Sequence, residues 1–260
     1  MIETIPGNLY DHPKYYELVF GSDWRGEYHF LRACFERYST GRVKRVFEPA
    51  CGTGRLLVKL AQAGLSVGGN DLNPAAVHYC NARLNRLGFA PTAVVGDMAD
   101  FKLKVKADAA FNMINSFRHL PTHELALAHL QCVADSLRKG GIYLLGLHLT
   151  PTACEPMQEE DWAARRGNLA VLSRMWTKKL DLRRRQETVG MTFDVYTPTR
   201  VFRLTDTIHF RTYTRRQMDE LLRAVPSLQL IATHDFAYDI EKPIKVNGST
   251  EDVVYVLKKN

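Results

Sequence analysis

The stretch that decides the fold is Val46-Phe47-Glu48-Pro49-Ala50-Cys51-Gly52-Thr53-Gly54-Arg55, a glycine loop between an apolar run and an amphipathic run. The apolar run, residues 43–48, predicts a short buried strand, and the run at 55–63 predicts a helix. Gly52 and Gly54 carry no Cβ atom, so the backbone can turn tightly there and approach a ligand closely. Leu57 replaces the third glycine of the dinucleotide fingerprint, so the loop is not that fingerprint. A plain strand-to-helix turn is the alternative interpretation.

Strands and helices alternate on the carboxyl side of this loop, and glycine follows each helix as a C-cap would. The predicted strands cover residues 66–70, 91–95, 109–115 and 142–148, and the predicted helices cover residues 73–87 and 125–137. Such alternation implies parallel strands joined by right-handed crossovers. We therefore expect an α/β fold with a Rossmann-like, doubly wound, mostly parallel seven-stranded sheet.

The rest of the chain differs in texture from this α/β region. Residues 1–42 predict a helical N-terminal lid. Residues 150–213 predict an antiparallel β insertion after the fifth strand, begun by a loop and a short helix over 150–167. The expected core is therefore 1–149 together with 214–260. The insertion is expected to shape the substrate site or to form a homodimer contact.

Three acidic residues end three of the predicted strands. Glu48 ends the first strand, Asp71 ends the second, and Asp97 ends the third beside the apolar Met98. Open α/β sheets bind ligands at the carboxyl ends of their strands, where a carboxylate can accept hydrogen bonds from both hydroxyls of a ribose. Asp97 could take an adenine amino group in the same way. Any one acid can be a helix N-cap, but three in register with a glycine loop indicate a nucleoside site.

These residues resemble the motifs of class I S-adenosylmethionine (SAM) dependent methyltransferases. The matching segments are Glu48-Pro49-Ala50-Cys51-Gly52-Thr53-Gly54, Asp71-Leu72-Asn73, and residues 96–101, 115–120 and 137–141. The resemblance implies SAM as the cofactor and methyl transfer as the activity. It also implies a set of cofactor-binding residues, namely Glu48, Ala50, Gly52, Gly54, Asp71, Leu72, Asp97, Met98 and Asn115. Ala50 stands where the family often has glycine, and its small side chain should still allow close approach.

Further segments resemble small-molecule methyltransferases, among them the sugar N,N-dimethyltransferases of macrolide pathways. They are Tyr10-Asp11, Tyr15-Tyr16, His119-Leu120 and residues 210–214. The resemblance implies a small-molecule acceptor and a tyrosine near the cofactor, which we assign to Tyr16 before Tyr10. Arg25 is a candidate for anchoring the cofactor carboxylate, although an arginine beside Trp24 can simply cover surface.

Methyl transfer from a sulfonium needs an aligned acceptor and a dry site. The residue predicted to orient or deprotonate the acceptor is His119, after the fourth strand, and His148, after the fifth, is the second candidate. Either can instead be a structural histidine. The absence of an obvious base favours a nitrogen acceptor over oxygen and leaves both open. Residues 115–118 contain no proline pair, which disfavours an amino-nucleobase methyltransferase.

Composition and charge limit the remaining possibilities. The net charge of +7 includes a basic run at 178–185, which keeps an RNA or protein methyltransferase open, although no nucleic-acid-binding module accompanies it. A non-catalytic SAM-binding module is another alternative, and a nucleotide-dependent oxidoreductase is a distant one. The five cysteines have no metal-binding spacing, so we expect no metal and free thiols in a reducing cytoplasm. No apolar run approaches the roughly 20 residues of a membrane span.

Overall fold

The alternating segments form a central sheet of seven strands in the computed structural model, which describes residues 2–260. These strands are β2 (Arg45–Pro49), β3 (Ser66–Asp71), β4 (Ala93–Val95), β5 (Ala107–Asn112), β6 (Leu137–His148), β11 (Leu228–His234) and β12 (Asp252–Lys259). Their order across the sheet is β11-β12-β6-β5-β2-β3-β4. The strands from β2 to β6 pair in parallel, whereas β12 is antiparallel to both β6 and β11. The α/β fold predicted from the sequence is confirmed.

Three of the six helices begin at a side chain that accepts hydrogen bonds from their first amides. They are α1 (Pro13–Phe20), α2 (Arg25–Tyr38), α3 (Arg55–Gln62), α4 (Pro74–Arg86), α5 (His123–Ser136) and α6 (Arg215–Arg223). The Asn73 side chain accepts hydrogen bonds from the first amides of α4, and Thr214 forms a reciprocal capping box with Gln217 at α6. Gly54 precedes α3 in a left-handed conformation, so the glycine loop itself sets the direction of that helix.

A second sheet lies beside the first and contains the predicted insertion. Its strands are β1 (Glu3–Pro6), β7 (Glu159–Arg166), β8 (Leu169–Asp181), β9 (Gln186–Tyr196) and β10 (Val201–Arg211), in the order β1-β10-β9-β8-β7. The strands β7 to β10 pair in antiparallel fashion. The 3-10 turn at Ser116–His119, after β5, packs against β10, so this sheet faces the carboxyl ends of the central strands.

Two predictions about the chain outside the core are wrong. The first segment is not purely helical, because β1 pairs in parallel with β10 and Glu3 lies opposite Phe202. Residues 159–166 are a strand, not the loop and short helix expected for 150–167. In both cases, charged and polar residues on the outward face hide the alternation of apolar and polar residues that indicates a strand. Strands of four to eight residues also form because they pair with a neighbouring strand, which the local sequence does not reveal.

The hydrophobic core has three parts that fix these elements to one another. One part packs α5 and α6 against the central sheet, and a second packs α2, α3 and α4 against its other face. The third fills the inner face of the second sheet, where Leu18 and Val19 of α1 are buried in one cluster with Phe193 and Phe210. Across residues 2–260, none of the helices combines the length and apolar character that membrane crossing requires.

Candidate active site

The glycine loop crosses the end of β2 with three residues in left-handed conformations. The φ angles are 51° at Ala50, 53° at Gly52 and 67° at Gly54. A Cβ atom at Gly54 would overlap the Sγ of Cys80, whereas a Cβ atom at Gly52 would meet nothing within 4 Å. Gly54 is therefore required by packing against α4. Gly52 borders open space into which its backbone can present groups to a ligand.

Asp71 lies directly across this loop at the end of β3. Its Oδ2 accepts a hydrogen bond from the Gly52 amide at 2.8 Å, and its Oδ1 accepts one from the Asn73 amide at 2.8 Å. Burial raises the pKa of Asp71, and these two amides partly oppose that rise by stabilising the carboxylate. Each carboxylate oxygen has two acceptor positions, so both oxygens retain one for a ligand hydroxyl.

Asp97 and Met98 form the next part of the same edge. The Asp97 Oδ1 accepts a hydrogen bond from the Ala99 amide at 2.7 Å, and its carbonyl accepts one from Asn70 Nδ2 at 2.8 Å. Met98 is buried, and its carbonyl lies 2.8 Å from Nδ1 of the buried His129. These bonds tie the loop after β4 to β3 and α5, so its position does not depend on a ligand.

A buried polar chain connects this loop to the glycine loop beneath the site. The His129 Nε2 lies 2.7 Å from the Tyr143 hydroxyl, which donates to Asn112 Oδ1 at 2.7 Å. The Asn112 Nδ2 donates to the carbonyl of Pro49 at 2.5 Å. The two halves of the nucleoside site are therefore held at a fixed separation by side chains that the sequence pattern did not single out.

Glu48 is buried at the end of β2, and it has an unused acceptor. Its side chain is 8% exposed, and its Oε2 has no hydrogen-bond partner among residues 2–260. Burial raises the pKa of Glu48 well above its usual value, and the Arg55 guanidinium opposes that rise. A buried carboxylate without a partner is costly, so this oxygen is suited to a donor or cation brought by a ligand.

The first two helices hold the glycine loop through buried ion pairs that sequence reasoning missed. Glu17 of α1 accepts a hydrogen bond from the Thr53 hydroxyl at 2.5 Å and pairs with Arg83 of α4 at 2.7 Å. Glu27 of α2 pairs with Arg55, the first residue of α3. Both acids are almost fully buried within helices. An acid at a core-facing helix position is the signal that could have found them.

Tyr16, Tyr10 and His119 form an aromatic row from the nucleoside site toward the second sheet. The Tyr10 and Tyr16 rings are 5.3 Å apart, and the Tyr10 hydroxyl lies 3.0 Å from His119 Nε2. Burial raises the pKa of Tyr16 to about 12, with Arg55 and Asp71 acting on it in opposite directions. Burial, aided by Arg118, lowers the pKa of His119 to about 4. His119 is therefore neutral at physiological pH.

Two predicted cofactor residues lie outside this group. Arg25 is exposed at the first turn of α2, with its guanidinium carbon 5.5 Å from the Trp24 ring centre, as the surface alternative expected. Leu72 follows Asp71 at the rim, and 67% of it is exposed. The structure gathers the other predicted residues, Tyr16, Glu48, Ala50, Gly52, Gly54, Asp71, Asp97, Met98 and Asn115, around the carboxyl ends of β2 to β5.

A cavity of about 60 Å³ opens next to Asn115, between the central sheet and the second sheet. Asn115 adopts a left-handed conformation, and its Oδ1 accepts a hydrogen bond from the His148 amide at 2.8 Å. Its lining includes aromatic and thioether groups, namely Met175, Trp176 and Phe210. It also includes charged and titratable groups, namely Arg118, His148, Glu159, Glu160, Glu187 and Glu251. Arg118 is neutralised by Glu187 at 2.5 Å, so the remaining charge of the lining is mostly acidic.

Comparison with known proteins agrees with this geometry. Residues 46–141 match the model of a methyltransferase domain family. Over 140 residues the chain is 29% identical to dTDP-3-amino-3,4,6-trideoxy-alpha-D-glucopyranose N,N-dimethyltransferase of Streptomyces venezuelae. That alignment covers 52% of this chain and 56% of the relative, so the match spans about half of the relative's length.

Solved structures share the fold over nearly the whole chain. A SAM-dependent methyltransferase from Clostridium acetobutylicum superposes with a TM-score of 0.76 at 17% identity, covering 97% of this chain and 100% of that one. A SAM-bound amino pentose methyltransferase of calicheamicin biosynthesis from Micromonospora echinaspora superposes with a TM-score of 0.72 at 19% identity, covering 100% of both chains.

Residues 46–141 therefore match a methyltransferase domain, and the chain shares the fold of solved SAM-dependent methyltransferases. Part of the chain is also similar in sequence to a sugar N,N-dimethyltransferase, the group that the segments around Tyr10, Tyr16 and His119 resemble.

Proposed function

We propose that this chain transfers a methyl group from SAM to a nitrogen atom of a small molecule, with an amino sugar as the substrate class. The observation that carries the proposal is the position of the cavity. It begins at Asn115, where the nucleoside site ends, and its lining combines aromatic walls with carboxylates. A lining of this kind suits a compact, amine-bearing acceptor and is the opposite of an open basic groove.

The cofactor fits the residues present. Glu48 offers an unpaired buried oxygen for the SAM ammonium, and Gly52 leaves room beside it for the amino-acid part of SAM. Asp71 retains an acceptor position on each oxygen for the ribose hydroxyls, and Asp97 with Met98 offers an acceptor and an apolar wall for adenine. When bound, SAM would supply an electrophilic methyl group on its sulfonium sulfur.

The chain's own contribution is alignment and exclusion of water. The ion pairs of Glu17 and Glu27 keep α1 and α2 against the glycine loop, and Tyr16 and Tyr10 close the space between loop and cavity. Such closure favours displacement at the methyl carbon, because it holds the acceptor in line and removes competing water. Arg25 has no part in this arrangement, and Leu72 contributes only at the rim.

A basic turn at the cavity mouth supports an acceptor that carries phosphate. Leu180 lines the cavity, the exposed Lys179 precedes it in β8, and the turn after β8 holds the exposed Arg183 and Arg184. Phosphates of a nucleotide-linked sugar would meet these cations while the amine enters the acidic interior. This location assigns the basic run to the acceptor site and disfavours the RNA or protein alternative. The same location supports a role for the inserted strands in binding the acceptor, in addition to the homodimer contact.

The test is product formation with a defined acceptor. The protein is incubated with SAM and dTDP-3-amino-3,4,6-trideoxy-glucopyranose, with the 3-hydroxy analogue as matched control, and S-adenosylhomocysteine and methylated sugar are measured by mass spectrometry. Methylation of the amine and not of the hydroxyl analogue supports the proposal. SAM binding by calorimetry without turnover of this or other amino sugars would instead indicate a non-catalytic SAM-binding module.

The compartment and the assembly follow as smaller proposals. Five free cysteines, three of them buried, fit a protein that stays in the reducing cytoplasm. The strand β7 is an edge of the second sheet and is the surface we propose for a homodimer contact. Light scattering measures that contact directly when the purified wild-type protein is compared with Ala163→Pro, a substitution in β7.

A further inference from the structure

His148 and Asp252 face each other across two neighbouring strands at the cavity. They are directly paired in the antiparallel register of β6 and β12. The His148 Nδ1 lies 2.8 Å from Asp252 Oδ1, and that buried oxygen accepts no aligned hydrogen bond within residues 2–260. Their attraction is therefore mainly electrostatic and is greatest when the imidazole carries a proton.

The other charged groups around this pair are also mostly acidic. Glu160 of β7 and Glu251, next to Asp252, line the same cavity, and Arg118 is the one cation of its lining that is not a histidine, counted over residues 2–260. Arg118 is already paired with Glu187. Burial raises the pKa of Glu160; His148 opposes this, whereas Asp252 and Glu251 add to it. The imidazole thus faces carboxylates from two strands, β7 and β12, in a lining whose one arginine is already paired.

The position of His148 connects this pair with the cofactor site. Its backbone amide donates to Asn115 Oδ1, at the residue where the nucleoside site meets the cavity. Its ring lines the cavity, and Nε2 has no hydrogen-bond partner in the part of the chain that the structure describes. The nitrogen not directed at Asp252 is therefore available to an acceptor.

His119, the residue favoured by sequence, has the opposite environment. Its Nε2 already contacts the Tyr10 hydroxyl, and Arg118 lowers its pKa more than Asp206 raises it. A base must hold the proton that it removes, and burial beside a guanidinium disfavours the imidazolium of His119. Its packing between Tyr10 and Phe210 suits a role in shaping the cavity wall.

We propose that His148 is the proton acceptor of the methyl transfer, that Asp252 is its positioning residue, and that Glu160 selects an acceptor that carries an amine. This inference rests on the proposed function. In the step, the nitrogen lone pair forms the N–C bond to the methyl carbon, and the sulfonium sulfur keeps the electron pair of the broken S–C bond. Before that bond forms, the N–H proton that occupies this lone pair in the acceptor ammonium passes to His148 Nε2, and it then leaves to solvent through the cavity mouth.

The kinetic test compares His148→Asn with wild type and with His78→Asn, a matched change at an exposed histidine of α4. With the dTDP-linked amino sugar as acceptor, kcat should fall by about 10²–10⁴-fold, the usual contribution of a general base. KM for the acceptor should change by less than about threefold, because the carboxylates remain. The loss should shrink as pH rises, since more of the amine is then already deprotonated. His148→Gln serves if the first variant does not fold.

The positioning role of Asp252 has its own readout. In Asp252→Asn, the protonated imidazole loses its nearest counter-charge, so the acidic limb of the kcat/KM profile should move to lower pH while kcat falls less than in His148→Asn. A merely structural role would lower activity without moving the limb. A limb that stays in place removes Asp252 from the proposal.

Binding without turnover gives an independent measurement. In calorimetry without SAM, Glu160→Gln should weaken binding of the amino sugar nucleotide about tenfold and leave the 3-hydroxy analogue unchanged. Equal effects on both ligands would overturn the amine selection. His148→Asn with wild-type kcat and pH profile would overturn the base assignment. Wild-type protein that binds SAM but methylates no amine refutes the proposed function itself, and this inference with it.

Discussion

Gly52 and Gly54 share a left-handed backbone but border different surroundings, so alanine at each position should fail in a different way. At Gly54, alanine must adopt the left-handed conformation, at about 1–2 kcal/mol. Its Cβ must also displace the Sγ of Cys80, and such overpacking costs about 1–3 kcal/mol. The free energy of unfolding should fall by about 2–5 kcal/mol. At Gly52, only the conformational part applies, because a Cβ there has open space.

Two assays separate these effects. Urea unfolding should rank Gly54→Ala as less stable than Gly52→Ala by at least about 1 kcal/mol. Calorimetry should show that Gly52→Ala weakens SAM binding more than Gly54→Ala does, because a methyl group at Gly52 occupies the open space assigned to the cofactor. The double-mutant cycle with Cys80→Ala isolates the contact, and it should show a favourable coupling of about 1–3 kcal/mol. Additive losses of stability in that cycle would refute the packing argument. Unchanged SAM affinity in Gly52→Ala would refute the assignment of the open space at Gly52 to SAM.

Three further outcomes follow from the site. Asp71→Asn removes the charge that would receive the ribose hydroxyls, so calorimetry should show SAM binding weakened roughly 10–100-fold, the worth of one charged hydrogen bond. Glu17→Gln removes the counter-charge of the half-buried Arg83, which keeps only its hydrogen bond to the Thr53 carbonyl, and urea unfolding should show a loss of about 3–5 kcal/mol that Glu17→Gln with Arg83→Met partly restores. The pKa of His119 is lowered to about 4 in the folded protein. As the pH falls, this histidine is therefore protonated in the unfolded chain before it is protonated in the folded protein. The stability that depends on His119 should be complete above about pH 6.5 and fall by up to about 3 kcal/mol toward pH 4. Burial also lowers the pKa of His129 to about 4, so His119→Asn should make the fall in pH-dependent unfolding shallower without abolishing it.

The sequence was informative where a short local pattern is enough to place a residue. The glycine loop, Asp71 and Asp97 each follow a strand that can be recognised from its own apolar run, and parallel strands bring their carboxyl ends to one edge. The α/β class could therefore be predicted before any contact was known. The same reasoning found Glu48, whose unpaired oxygen only the structure reveals.

Residues that depend on register or on distant contacts could not be predicted in this way. His148 was recognised at a strand end, but its pairing with Asp252 follows from the register of β6 and β12, which no local pattern specifies. The strand β1 was missed because its four residues have little pattern of their own and gain order from β10. Arg25 was assigned from residue type alone, and the structure shows it at the surface beside Trp24.

The first helix explains why residues 1–42 do not form a lid that can be considered separately from the insertion. Consecutive residues of α1 face different partners, since Glu17 bonds the glycine loop while Leu18 and Val19 pack into the core of the second sheet. Moving α1 away from the loop would expose a buried carboxylate and strip an apolar face at the same time, and both changes are unfavourable. The helix therefore transmits the position of the second sheet to the loop that would hold SAM. An acceptor bound against β7 and β10 would stabilise the same arrangement that the cofactor needs, so the two ligands should bind with positive coupling. The measurement is the affinity for the acceptor with and without S-adenosylhomocysteine. Binding should be tighter in its presence, and this difference should be lost in Glu17→Gln.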